Sequence, residues 1–297
     1  MTAPRPAPRP APSPTRIGSR TFEWGTRTFV MGILNVTPDS FSGDGLLGDA
    51  GRAADPVAAA VAQAVEMAAQ GADLLDIGGE STRPGHAEVT ETEELRRVMP
   101  VLQAVRDALP DMPISIDTTK PGVAMAAILK GANAINDIWG VGDSDSRIRI
   151  AAETGVPIVL MHNRAEPRYA NLVDEVVNDL RRAVDRALGA GVPEANLIID
   201  PGIGFGKTAE QNLALLRGLR ALTALGRPIL LGTSRKSTLG KVLDLPPEER
   251  VEATLATTAL GIEAGVDIVR VHDVRENVRA ARIADAIVRG TWHDPTA

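Results

Sequence analysis

Phe29-Val30-Met31-Gly32-Ile33-Leu34 is a short apolar run followed by the polar Asn35, and the same pattern recurs down the chain. Further runs are Leu74–Ile77, Ile114–Ile116, Ala134–Ile138, Ile158–Met161, Leu197–Ile199, Ile229–Leu231 and Ile268–Val271, which makes eight. Runs this short and this rich in Val, Ile and Leu read as strands buried on both faces, as in parallel sheets. Between them lie Val57–Ala69, Glu93–Leu109, Val173–Leu188 and Glu252–Glu263, whose apolar residues recur near 3.6 and predict helices. Strands separated by helices of that length require parallel crossovers, and eight such units fit a closed barrel. The expected fold is therefore α/β, a single (β/α)8 TIM barrel. A doubly wound open sheet is the alternative, and it would need a nucleotide fingerprint.

Polar residues at the C-terminal end of each run strengthen the barrel reading. Asn35 comes after the first; Asp76 ends the second and Asp117 the third; Asn136 and Asp137 sit in the fourth. His162 comes after the fifth, Asp200 the sixth, Ser234-Arg235-Lys236 the seventh, and Arg270 and His272 lie in and after the eighth. In a barrel these positions converge on the C-terminal mouth, where active sites form. The opposite ends of the runs carry Gly-Ala, Gly-Val-Pro and Gly-Arg-Pro, which is turn chemistry.

Composition narrows the function. A chain of 297 residues with 44% hydrophobic and 24% charged residues is long enough for one large core and reads as globular. The net charge of −6, without a basic stripe, argues against a nucleic-acid partner. No cysteine is present, which excludes disulfides, thiolate nucleophiles and Cys-ligated metals. No apolar run approaches the roughly 18 residues of a membrane span. The first residues alternate Pro with Ala and Arg and lack the apolar core of a signal peptide, so 1–18 is read as a disordered tail and 19–297 as the barrel, with the cytoplasm as the expected location.

Two tempting motifs fail. Pro201-Gly-Ile-Gly-Phe-Gly-Lys-Thr208 has Pro where a phosphate loop needs its first Gly, and Lys207 where a dinucleotide fingerprint needs its last. None of the four histidines is paired at i, i+4 for zinc.

The loops Met31-Gly-Ile-Leu-Asn-Val-Thr-Pro-Asp-Ser-Phe-Ser42, Asp76-Ile-Gly-Gly-Glu-Ser-Thr-Arg-Pro-Gly85, Asp200-Pro-Gly-Ile-Gly-Phe-Gly206, Gly232-Thr-Ser-Arg-Lys-Ser237 and Arg270-Val-His-Asp273 carry a resemblance. In order, from about Thr28 to Arg289, the chain resembles the dihydropteroate synthase family, the folate-pathway enzymes that sulfonamides target. The resemblance implies a transferase that joins 6-hydroxymethyl-7,8-dihydropterin diphosphate to p-aminobenzoate, with Mg²⁺, a dissociative loss of pyrophosphate and a homodimer. It implies that Asp200 pairs with two pterin N–H donors, with Asp117 and Asn136 on neighbouring ring nitrogens and Lys236 on the carbonyl side. Asp137 remains an alternative to Asn136. Met161 and Phe205 would line the ring faces. Arg270 and His272, spaced i, i+2 on one strand face, would meet the diphosphate, and Asn35 would support its Mg²⁺. Ser237, at a helix start, would receive the aminobenzoate carboxylate, with Phe41, Thr82, Arg83 and Pro84 closing over it. One departure is Gly43-Asp44-Gly45 where the family reads Asp-Gly-Gly, so Asp44 is displaced by one place.

Two other readings share the pterin cradle. A methyltransferase domain that takes methyl from methyltetrahydrofolate would have no use for the Arg270–His272 pair, the Ser234–Ser237 stretch or the Thr82-Arg83 loop. A catalytically silent pterin-binding paralogue differs only in turnover.

Overall fold

The computed structural model describes residues 11–36, 55–80, 89–142 and 144–292. An N-terminal hairpin, β1 (Thr15–Ile17) and β2 (Arg20–Phe22), precedes eight parallel strands. These are β3 (Phe29–Asn35), β4 (Leu74–Gly78), β5 (Ile114–Asp117), β6 (Ala134–Asp137), β7 (Ile158–Met161), β8 (Leu197–Asp200), β9 (Leu230–Leu231) and β10 (Ile268–Val271). Described helices are α1 (Pro56–Gln70), α2 (Glu91–Ala108), α3 (Pro121–Leu129), α4 (Asp145–Thr154), α5 (Leu172–Gly189), α6 (Ala209–Arg217), α7 (Ser237–Leu243), α8 (Val251–Ala264) and α9 (Val274–Val288). Helix starts follow local capping chemistry: Asp55 caps α1, Thr90 caps α2, and Thr208 with Gln211 forms a reciprocal capping box on α6.

Hydrogen-bonded neighbours run β8-β7-β6-β5-β4-β3-β10-β9. Ile199 of β8 then bridges Ile229, and its N–H donates to the Pro228 carbonyl at 3.0 Å, which brings the two ends of the sheet together. The sheet is a closed (β/α)8 barrel, and the open-sheet alternative is excluded.

Strand periodicity separates two populations. Val30, Leu34, Leu75, Ile77, Ile114, Ile116, Ile135, Leu160, Ile199, Leu231, Val269 and Val271 face the helices and form the larger core. Phe29, Met31, Leu74, Ala134, Val159, Ile198, Leu230 and Ile268 face inward and fill the lower half of the barrel. Two residues further along several of these strands the inward side chain becomes polar, as in Leu74 to Asp76, Ala134 to Asn136, Ile198 to Asp200 and Ile268 to Arg270. The interior thus changes from hydrocarbon to charge in one layer.

The hairpin seals the apolar end, and here the structure corrects the expectation drawn from sequence. The expected tail, 1–18, is too long: Ile17 is fully buried and packs with Phe22 and Trp24 in the same cluster as the barrel floor. Rings of Phe22, Trp24 and Phe29 pack at 4.8–5.6 Å between centroids. Trp24 Nε1 donates to Thr15 Oγ1 at 2.9 Å, and that hydroxyl donates to the Ala195 carbonyl at 2.5 Å. Lone Ile17 amid Pro, Arg and Ser gave no periodic signal, because a three-residue strand is too short to show one.

Trp24→Ala should lower the urea midpoint of unfolding by the equivalent of roughly 3–5 kcal/mol, since it empties a buried ring-sized space. An unchanged midpoint would show that the hairpin is not part of the cooperative core.

Candidate functional site

At the C-terminal mouth five interior side chains from four strands are locked together. Asp76 Oδ2 accepts from Arg270 Nε at 2.5 Å and from Asn136 Nδ2 at 2.8 Å, while its Oδ1 accepts from Ser115 Oγ at 2.5 Å. The same guanidinium reaches across to Asp117 Oδ2 at 2.7 Å through Nη2. Asp76 and Asn136 are buried, and Asp117 opens only slightly to the mouth. A carboxylate is acceptor-only, so Asp76 forces Asn136 to turn its NH₂ toward it and present Oδ1 away from it.

Three acceptors are left facing a common space. Asp117 Oδ1 is buried without a partner. Asn136 presents its Oδ1. Asp200 uses Oδ1 to take the Gly202 N–H at 2.6 Å, which leaves Oδ2. Buried polar atoms are normally satisfied, so an orphaned carboxylate oxygen marks a place for a donor. Burial pushes Asp117 up to about 7, with Arg270 opposing the rise and Asp76 adding to it. Burial likewise raises Asp200 to about 6, against the pull of the Gly202 N–H and Lys236.

The other wall is cationic and aromatic. Lys236 Nζ stands 4.0 Å from the centre of the Phe205 ring, a cation–π contact. Met161 ends β7 on the interior face, buried beside Asp200, its register partner. Lys236 follows Arg235, a non-glycine residue at φ 55°, and that left-handed turn is held by the Arg235–Asp273 ion pair at 2.6 Å and by Arg250 Nη1 on the Arg235 carbonyl at 3.0 Å. Ser234 Oγ meets His272 Nδ1 at 2.9 Å, which fixes the imidazole at the rim.

This constellation has relatives. The pterin-binding enzyme family matches residues 31–272. A dihydropteroate synthase of Clostridium beijerinckii is 51% identical over 92% of this chain and 99% of its own length. The crystal structure of dihydropteroate synthase from Clostridium difficile, determined with pteroic acid, superposes with a TM-score of 0.85 at 47% identity, covering 90% of this chain and 99% of the other. That of Xanthomonas albilineans, with 4-aminobenzoic acid, gives 0.85 at 41% identity, covering 94% and 98%. The chain belongs to the dihydropteroate synthase family.

Within that family assignment, the structure brings Asn35, Asp117, Asn136, Met161, Asp200, Phe205, Lys236, Arg270 and His272 to one mouth, and strand parity decides between the neighbours Asn136 and Asp137. Asn136 faces in. Asp137 faces the helices, where it pairs with Arg147 at 2.9 Å and accepts from Ser144. His162 also faces outward, against Asp179 of α5 at 3.1 Å, and burial holds it down at about 4. The expectation that polar residues after all eight runs converge on the mouth is therefore corrected for these two. Ser237 is exposed, and it is the first residue of a seven-residue helix whose N-cap is Lys236. Phe41, Thr82, Arg83, Pro84 and Asp44 lie outside the described residues.

Arg270 is not a wholly free fork: Asp76 and Asp117 already take two of its five N–H donors. Asp76 was expected at the mouth but given no role there. Its signal was the alternation Leu74-x-Asp76-x-Gly78, which puts the carboxylate on the interior face beside Ser115.

Asp76→Asn should weaken pterin binding roughly 10- to 100-fold, the scale of a lost charge-assisted bond, because the amide removes the negative charge that holds Arg270 and orients Asn136. Titration calorimetry with a hydroxymethylpterin measures it, and wild-type affinity would contradict the arrangement. The wild-type affinity should itself fall as pH drops from about 7 through about 6, where Asp117 and Asp200 take up protons, lose their negative charge and turn one acceptor into a donor.

Proposed function

We propose that this chain, a transferase, joins 6-hydroxymethyl-7,8-dihydropterin diphosphate to p-aminobenzoate, forming 7,8-dihydropteroate and releasing pyrophosphate. The observation that carries the reading is the row of acceptors left by Asp117, Asn136 and Asp200 opposite the Lys236 ammonium. A pterin is the complement: its aminopyrimidine edge offers adjacent N–H donors, and its carbonyl accepts from a lysine. Asp200 takes the paired donors, Asp117 and Asn136 the neighbouring ring nitrogens, and Lys236 the carbonyl side. Phe205 and Met161 flank the ring.

The diphosphate leaves at the rim. When the bond from the methylene carbon to the diphosphate oxygen breaks, the electron pair departs with pyrophosphate and the methylene cation is delocalised into the pterin ring. The aromatic amine then adds to that carbon and gives up its proton to solvent. No strong base is required; the protein holds the two reactants together and stabilises the departing charge. His272, steadied by Ser234, and the guanidinium of Arg270, of whose five N–H donors Asp76 and Asp117 take two, supply that stabilisation. Ser237 and the Thr82-Arg83-Pro84 and Phe41 segments would receive p-aminobenzoate, and sulfonamides would compete there.

Mg²⁺ fits this donor set in a limited way. Among the described residues no group of three or more carboxylates or histidines could hold an ion alone. A Mg²⁺ that keeps waters and phosphate oxygens needs only one or two protein donors, and the Asn35 amide oxygen at the end of β3 is such a donor. Bound there it would neutralise charge on the diphosphate.

A homodimer is the proposed assembly, supported by exposed Leu213, Val242, Leu243 and Leu260 on α6, α7 and α8. Sedimentation should then give about twice the 31.3 kDa chain mass, and a monomer at micromolar concentration would refute it. No helix among the described residues is long and apolar enough to cross a membrane. We place the protein in the cytoplasm with small molecules, rather than nucleic acid, as its partners.

The deciding experiment mixes protein, pterin diphosphate, Mg²⁺ and p-aminobenzoate and follows pyrophosphate and dihydropteroate. Release that depends on the amine supports the synthase; pterin binding without product would indicate a silent paralogue. Asp200→Asn and Lys236→Ala should abolish pterin binding with the fold intact. His272→Ala should slow turnover by roughly 10²–10³ while the KM for p-aminobenzoate stays close to wild type. An unchanged rate would remove His272 from the reaction.

A further inference from the structure

The stretch Pro201–Thr208 fails as a phosphate loop, yet it contains a half-buried lysine that the reaction above does not use. Lys207 Nζ lies 2.9 Å from the Gly202 carbonyl, 2.9 Å from the Phe205 carbonyl and 3.4 Å from the His162 carbonyl. An ammonium has three N–H donors and no acceptor, so three carbonyls match it donor for donor. Phosphate-binding loops aim main-chain N–H groups at an anion. Here the polarity is reversed: main-chain carbonyls converge on a cation that the loop itself supplies.

The groups this cation touches are the ones that matter to the ring. Gly202 gives its carbonyl to Lys207 and its N–H to Asp200 Oδ1 at 2.6 Å, so one residue links the ammonium to the carboxylate. Phe205 gives its carbonyl to Lys207, while its ring meets Lys236. His162 directly follows Met161, and its N–H donates to the Asp200 carbonyl at 2.9 Å. The loop turns through Gly202, Gly204 and Gly206 at φ 66°, 86° and 53°. A Cβ at Gly202 would fall 1.8 Å from the His162 carbonyl oxygen, and one at Gly206 would fall 2.2 Å from that of Arg164. A chain of glycines resting directly on the neighbouring backbone has little conformational preference of its own, so its shape depends on tethers.

We propose that Lys207 is a positioning residue for pterin recognition, an internal cation that holds the glycine-rich loop so that Asp200 and Phe205 face the bound heterocycle. The proposal rests on the pterin assignment of those two residues. Its charge also acts on Asp200. Burial brings Lys207 down to about 7; Asp200 and Asp179 oppose that fall, while Arg164 and Lys236 add to it. His162, against the same loop, is neutral at that pH. Lys207 is in turn one of the cations that restrain the rise of Asp200. Without the ammonium, the Asp200 carboxyl would protonate at higher pH.

The test uses the full chain as wild type, Lys207→Met, Lys207→Gln and Lys207→Arg, with 6-hydroxymethylpterin as the binding probe from pH 5 to 9 and both KM values at neutral pH. Lys207→Met should weaken probe binding roughly tenfold or more. It should raise KM for the pterin diphosphate, leave that for p-aminobenzoate within about twofold, and move the acidic limb of the binding profile to higher pH. Lys207→Arg, which keeps the cation, should return the limb towards its wild-type position. Wild-type affinity with an unmoved limb in a folded Lys207→Met protein would overturn the proposal. So would a parallel rise of both KM values with no benefit from arginine. If the methionine variant does not fold, Lys207→Gln decides, since it keeps N–H donors without charge: a shifted limb supports the role and an unshifted one refutes it. Probe binding needs no turnover, so a wild-type chain that binds the pterin but forms no dihydropteroate would sink the assigned reaction and not this one.

Discussion

A closed barrel of parallel strands has no solvent inside it, so any charge placed there must be answered by another. The Arg270 guanidinium, held between Asp76 and Asp117, is that answer in this molecule. It draws residues from β4, β5 and β10 to one point and, through Asp76, fixes the Asn136 amide of β6. Buried ion pairs are poor sources of net stability, because desolvation offsets their attraction. The stability comes from elsewhere: from the apolar floor sealed by Ile17, Phe22 and Trp24, and from the aliphatic layer between strands and helices. The lower barrel holds the fold together so that the upper barrel can hold charge.

Much of this was legible in the sequence, for a definite reason. Parallel strands buried on both faces are continuous apolar runs, so their number and order stand out from the amphipathic helices between them, and all eight expected strands are present. The place of Asp117, Asp200, Lys236 and His272 at the mouth was legible because the ends of those runs are where the barrel tolerates polar side chains. What misled was treating every strand-end polar residue as equivalent. Asp137 and His162 are polar and terminal, but each is one position out of phase with its inward neighbour, and they serve the helices through Arg147 and Asp179.

Other features left little trace. The hairpin strands are three residues long, below the length at which alternation can be recognised. Lys207 was legible as a residue but not as a contact, because its partners are carbonyl oxygens, which every residue carries. Asp76 sits in a motif where it could equally have capped a strand; only its three partners, from β5, β6 and β10, show it to be the centre of a network.

The pocket is also energetically out of balance in a way that suits its use. Asp117 and Asp200 are raised to about 7 and about 6, so in the folded, ligand-free protein they bind protons more tightly than in the unfolded chain. Folding is therefore favoured by these groups below about pH 4, and that contribution fades as pH rises through the folded-state values. At neutral pH the fold carries ionised or half-ionised carboxylates, one with an oxygen that has no donor at all. Ring N–H groups of a bound heterocycle stabilise the ionised form more than the protonated one. Ligand binding thus repairs the same desolvation that weakens the empty site, and part of the affinity arises from relieving a cost already present in the protein.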